Sequence, residues 1–434
     1  MTAIILFHAK SWVLALGLLV AAGSLAAAEA ATDAAADAKS VFERRIKPIF
    51  ASPKPTSCLE CHLAGVDLKN YIKPSSELTF RSLRDQGLVD VNKPEDSRIL
   101  ALIGMGEGGD GAQKPSLIHS EVRKAEYEGF AEWLRACCAD PAMIAAAKLP
   151  ERELAKPPRP DAVIRHARRD RVLASFEDHV WAQRFRCTGC HAADGDQVAK
   201  LVAEQGDRDF LWIRPEGAEA TMKYIIAQGL VDTKQPERSL LLRKPALEVK
   251  HAGGKKLEIG DQGYKELRAW IEEYSRTVTD GYKTVKDLPP APTTVHAMTD
   301  MWLKITDTPG AWGDKLLQVD IHASDGKGGW AQDPIATSDR AVFSNGNLWQ
   351  HVLTCVAPVG SEQAKGFANA EKPKLPAGKY LVRVYVDLRR KLEKDWRARL
   401  GAEDLVGETV IDASWATGYG SMTTMTAGAL KKAR

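Results

Sequence analysis

The sequence predicts a multidomain α + β protein: two mainly helical modules followed by an antiparallel β-sandwich-like domain. Three observations predict it. One cysteine motif occurs twice, and matching text follows each copy. Two proline-rich stretches, 148–160 and 278–294, interrupt both helix and central strand and so read as linkers. The hydrophobic period then changes from helical to alternating after the second linker. These cuts give a leader over 1–30, a first module over 41–147, a second over 161–277 and the β domain over 295–434.

The leader comes first. Lys10 closes a weakly basic start, Trp12 to Leu25 is apolar, and Ala26-Ala27-Ala28 and Ala28-Glu29-Ala30 both offer a small-x-small cleavage pattern. A secretory signal peptide is expected, and with it a periplasmic or otherwise exported protein. A retained anchor is the rival reading, since Ile4 to Phe7 extend the apolar content. No later run reaches 18 apolar residues, so no transmembrane helix is expected after signal cleavage. Sixty Lys and Arg against 57 Asp and Glu leave a formal charge of +3, which argues against nucleic acid as a partner.

The helical modules repeat one another. Cys58-Leu59-Glu60-Cys61-His62 matches Cys187-Thr188-Gly189-Cys190-His191 at an offset of 129. Gln86-Gly87-Leu88-Val89-Asp90 recurs as Gln228-Gly229-Leu230-Val231-Asp232, offset 142, and Pro94-Glu95-x-Ser97 returns as Pro236-Glu237-x-Ser239. A leading helix is expected over Val41, Phe42, Ile46 and Phe50, and again over Leu173, Phe176, Val180 and Phe185. A closing helix carries Tyr127, Phe130 and Trp133, then Tyr264, Leu267 and Trp270. Such few, short helices suit a shell around a large apolar ligand better than a self-sufficient core.

In the third region Leu317, Val319 and Ile321 alternate with Gln318 and Asp320, as do Tyr380, Val382, Val384 and Val386 less cleanly. Met301 to Ile305 and Leu348 to Val356 are further strand candidates, and Asp387 to Arg399 reads as a helical insertion. Six of the 11 Trp residues lie here. Exposed, they could stack on sugar rings; packing in a core is the commoner use.

Cys-x-x-Cys-His is the attachment signature of c-type haem: two thiols add to the porphyrin and the adjacent imidazole ligates iron. The motif therefore predicts two haem c groups, bound by Cys58 and Cys61 and by Cys187 and Cys190, with His62 and His191 as proximal metal ligands. Zinc or a dithiol pair is the alternative. For the distal ligand of the second iron, His251 stands before a glycine loop, with Met222 competing; for the first, Met105 is expected, with His119 as the alternative. Any disulfide among Cys137, Cys138 and Cys355 is left open.

With Ser57 to Leu63, Leu83 to Leu88, Leu240 to Pro245 and His251 to Gly254, the chain resembles the secreted multidomain c-type cytochromes abundant in planctomycete-like bacteria. The resemblance covers about 41 to 275 and implies class I cytochrome c-like helical modules, each with an unusually long insertion before its closing helix. The functional expectation is electron transfer through two haems between redox partner proteins. The alternatives are a peroxidase-like dihaem oxidoreductase with one open iron, and an envelope protein whose β domain binds a glycan or a protein.

Overall fold

The computed structural model of the protein describes residues 37–52, 56–58, 71–105, 120–154, 159–206, 208–368 and 372–432. The leader, Cys61, His62 and His119 lie outside the described residues.

In the first repeat α1 (Ala38–Val41) continues through a π-helical turn, Phe42–Ile46, into α2 (Lys47–Ala51), and α3 (Ser76–Asp85), α4 (Arg98–Gly104) and α5 (Ser120–Cys138) follow. Asp37 and Ser75 cap α1 and α3 by accepting hydrogen bonds from Ser40 N and Leu78 N. Trp133 of α5 lies 5.5 Å from Phe42 and 6.4 Å from Phe80, ring to ring, and its indole N–H donates to Ser76 Oγ at 2.9 Å. One indole thus ties the leading and closing helices together.

The second repeat comprises α6 (Arg169–His179), α7 (Phe185–His191), α8 (Val198–Gln205), α9 (Ala218–Ala227), α10 (Leu240–Arg243) and α11 (Gln262–Val278). Phe176 of α6 packs on Trp270 of α11 at 5.0 Å.

The recurring text encodes one hydrogen-bonded corner used twice. Helices α3 and α9 both stop at a left-handed glycine, Gly87 at φ +69° and Gly229 at φ +64°. The next N–H turns back onto the helix, from Leu88 to Leu83 O at 2.9 Å and from Leu230 to Ile225 O at 3.1 Å. Asp90 N then donates to Ser97 Oγ at 3.1 Å, and Asp232 N to Ser239 Oγ at 2.9 Å. A Cβ at Gly229 would meet nothing within 4 Å, so its requirement is conformational rather than steric. Gly229→Ala is expected to destabilise the fold by about 1–2 kcal/mol; an unchanged urea midpoint would contradict this.

The third region is a single seven-stranded sheet, ordered β6-β5-β2-β3-β4-β1-β7. Its strands are β1 (Thr294–Thr306), β2 (Leu316–His322), β3 (Ala336–Ala341), β4 (Trp349–Pro358), β5 (Gly378–Val386), β6 (Leu405–Ala413) and β7 (Thr423–Thr426). All neighbours are antiparallel except β1 and β7. A short helix, Lys391–Lys394, stands between β5 and β6. The sheet curls until its edges nearly meet: Lys431, just beyond edge strand β7, bridges to Glu408 of the opposite edge strand β6. The β-sandwich expectation is therefore corrected to a nearly closed barrel. Alternation could not separate the two, because both bury every second residue. A bulge in β1 between Met298 and Trp302 helps the sheet bend. Leu303, Val319, Val382 and Trp349 fill one interior.

Cys137, Cys138 and Cys355 are free, Cys137 in the first helical core and Cys355 in the barrel core. No helix among the described residues is long and apolar enough to cross a membrane. The barrel docks on α11: Gln262 N donates to Asp339 Oδ2 at 2.7 Å, Lys265 Nζ to Ala398 O at 2.7 Å, and Trp396 lies 4.6 Å under the Arg268 guanidinium.

Candidate ligand pocket

The second cysteine motif forms α7. Helical spacing puts Cys187 and Cys190, three positions apart, on one face, and His191 ends the helix. The segment after α8 then comes back alongside it. Ile213 N donates to His191 O at 3.0 Å, the His191 ring lies 5.3 Å from Trp212, and its Nδ1 meets Phe210 O at 2.6 Å. A carbonyl can only accept, so Nδ1 carries the proton and Nε2 is the open nitrogen. Burial, with His251 and Lys244 nearby, holds this imidazole below its ordinary pKa and hence neutral at pH 7.

His251 stands opposite. Its loop is tied down by Lys256 N and Leu257 N, which donate to Pro245 O at 2.8 and 3.1 Å. Its Nδ1 is likewise taken by a carbonyl, Gly254 O at 2.8 Å. The two rings are parallel to within 1° with centroids 6.0 Å apart. Both therefore have Nε2 as their uncommitted nitrogen.

Cys187, Cys190, His191 and His251 line one cavity of ≈ 590 Å³. Its apolar wall includes Phe210, Trp212, Leu241 and Leu257. Arg184, Arg186, Lys244 and Lys256 also line it, against Asp209 as the one acid. Burial pushes the Cys187 thiol up to about 11 despite Arg186 and Lys256, so it is protonated at neutral pH.

The structure thus brings together four of the residues singled out from sequence. Met222 is not among the cavity residues; it packs in the helical core. In the first repeat Met105 is buried at the end of α4, where its carbonyl accepts from Arg123 Nη1 at 2.7 Å. Cys58 is described, but Cys61, His62 and His119 lie outside the described residues. The four cations and the Phe210 and Trp212 wall were not picked out from sequence. The basic residues flanking the motif and its partner loop were the one signal that could have found them.

Among the described residues no group of three or more His, Cys, Asp or Glu side chains could hold a metal ion. No protein-family model, no curated protein and no solved structure matches the chain. These findings overturn the expectation of two iron-bearing haem c groups, of electron transfer through them, and of membership among the secreted c-type cytochromes. His191 and His251 supply two nitrogens, whereas a metal centre built by the protein alone takes three or more side chains. Among the described residues the zinc alternative fails on the same count.

Proposed function

We propose that the protein is an exported small-molecule binding protein, whose second repeat takes a flat, largely apolar, anionic ligand between His191 and His251. The parallel imidazoles, with both Nε2 atoms uncommitted, carry this reading. The cavity volume falls in the range of small-molecule sites. Its aromatic and leucine wall favours a flat apolar body, and four cations against one acid favour negative charge at the rim. Each imidazole has its Nδ1–H committed to a carbonyl and leaves Nε2 uncommitted, and the neutral His191 offers a lone pair there, so the ligand presents a proton-donating group to it.

The flat, anionic dye 1-anilinonaphthalene-8-sulfonate is a suitable probe. It is expected to bind the full chain saturably at one site in the helical block, and to slow alkylation of Cys187 and Cys190 relative to Cys138. His251→Ala and His191→Ala are each expected to weaken it about 10-fold, the scale of a lost pocket contact. Binding that is unsaturable, or that leaves thiol reactivity and both variants unchanged, would contradict the reading.

A second reading concerns the barrel. Tyr419 is 60% exposed and stands edge-on to Trp302 at 5.1 Å. An exposed Tyr backed by a half-buried Trp favours contact with a glycan of the cell envelope. A glycan array probed with the full chain tests it, with Tyr419→Ala expected to abolish any signal.

A further inference from the structure

The cavity is not closed by the helical repeat alone, because one of its cations is held from the barrel. Arg186 lines the cavity, and its Nη2 lies 3.1 Å from Nε2 of His351 on β4, 165 residues away in sequence. A guanidinium only donates, so His351 Nε2 accepts and the proton must sit on Nδ1. Nδ1 stands 2.8 Å from Ser338 Oγ of β3, and that hydroxyl donates onward to Val352 O at 2.6 Å. Every hydrogen in this chain has one direction, set at one end by the guanidinium and at the other by a backbone carbonyl. The chain requires a neutral His351. Burial, Arg186 and Arg340 hold it well below its ordinary pKa, and Trp302 packs on its ring at 6.4 Å.

A second observation comes from the helical side. A Cβ on Gly263, in the first turn of α11, would stand 2.8 Å from Arg186 Nη1. The absent side chain thus leaves room for the guanidinium beside α11, together with Leu257 and Gln183, which a Cβ would meet at 2.8 and 3.0 Å. Among the described residues no carboxylate comes within ion-pair distance of Arg186; the acids nearest in charge, Asp261 and Asp339, are each occupied by backbone N–H groups. Arg186 has five N–H donors, and His351 takes one of them.

We propose that Arg186 is the residue by which the cavity recognises the anionic group of its ligand, and that His351 of the barrel is the positioning residue that sets its guanidinium. This rests on the small-molecule reading above and goes further. It makes the barrel part of the binding site, and it assigns the anionic group, a carboxylate or sulfonate suited to a two-pronged guanidinium contact, to the end of the cavity facing β3 and β4.

The test compares two probes with one aromatic body, 1-anilinonaphthalene-8-sulfonate and the uncharged N-phenyl-1-naphthylamine, on the full chain by fluorescence titration, with thermal midpoints recorded alongside. His351→Phe is expected to weaken the sulfonate probe about 10-fold, as for a displaced charge-assisted hydrogen bond, and to leave the uncharged probe unchanged. His351→Gln, whose amide can both accept from Arg186 and donate to Ser338, is expected to restore sulfonate binding. Arg186→Gln should match the His351→Phe loss, and combining the two should add nothing. If His351→Phe weakens both probes equally, or neither, while the wild type binds both, the positioning role is wrong and the pocket stands. If the wild type binds neither probe, the pocket reading fails, and this inference with it.

Discussion

Trp270→Ala is expected to lower the unfolding free energy by about 3–5 kcal/mol, the usual cost of emptying a large buried aromatic site. Trp270 is fully buried on α11, with Phe176 at 5.0 Å and Tyr274 stacked at 5.5 Å. Helix α11 is also the one on which the barrel docks, through Gln262 and Lys265. A loss of that size is a large fraction of the stability of an ordinary domain, so the cavity should be lost with it. Trp270→Phe should be mild by comparison. Among the described residues the Trp270 indole N–H has no hydrogen-bond partner, unlike that of Trp133. Removing an unpaired buried donor forfeits no hydrogen bond. Urea unfolding of both variants decides the matter; a loss below about 1 kcal/mol for Trp270→Ala would show that α11 is not what holds the second repeat.

The second large effect is a stability that rises on mild acidification. Asp261 is 3% exposed. It caps α11, accepting from Tyr264 N at 2.6 Å and Glu258 N at 2.7 Å. Burial, and then the neighbouring Asp339 carboxylate of β3, push its carboxyl up to about 7 in spite of Arg186 and those two hydrogen bonds. Burial likewise raises Asp339. A carboxyl raised on folding is an unfavourable term while ionised in the folded state. That term disappears as pH falls from above 7 towards the unfolded value of 3.8. His179 works in the same direction: burial lowers it, but the Glu266 hydrogen bond and charge outweigh this and hold it above 6.5, so its contribution is present below 6.5 and lost as pH rises. Glu266 is depressed by the same pair despite its burial, so its contribution is lost at the acid end, below 4.5. The thermal midpoint is therefore expected to rise as pH falls from about 8 to about 6.5; below that, His191 and His351, held neutral by burial, oppose the rise, and the midpoint falls in stronger acid. Asp339→Asn should flatten the rise. A midpoint that falls steadily from pH 8 would contradict the buried pair.

The repeat was legible because its landmarks are turn chemistry. Gly87 and Gly229 are needed at positive φ, and Ser97 and Ser239 are needed to accept from the Asp90 and Asp232 N–H groups, so the same letters had to recur. The strands were legible as strands, since Val319 is buried between the half-buried Gln318 and Asp320, although Leu381 beside Val382 is buried as well. Their closure into a barrel was not, because it depends on Lys431 reaching Glu408, a pairing with no local signature. His251 could be singled out beside its glycines, yet the parallel pairing with His191 depends on the Phe210 and Gly254 carbonyls that set both rings. Arg186 stood one residue from the motif and went unnoticed, because what gives it a role is a histidine in another domain. The cysteine motif led furthest astray. Its letters specify a covalent chemistry, while the described residues yield a two-imidazole cavity with the Cys187 thiol held neutral.

Mass spectrometry of the purified full chain, under native and then denaturing conditions, tests the ligand pocket most directly. The expected native spectrum shows one small molecule per chain, either carried from the host or supplied as the anilinonaphthalene sulfonate. Its occupancy should drop in His191→Ala and in His251→Ala, and the denaturing spectrum should show the bare chain mass. A bare chain mass at every probe concentration, with both cysteines alkylated as fast in its presence as in its absence, would mean that the cavity between the two imidazoles holds no ligand.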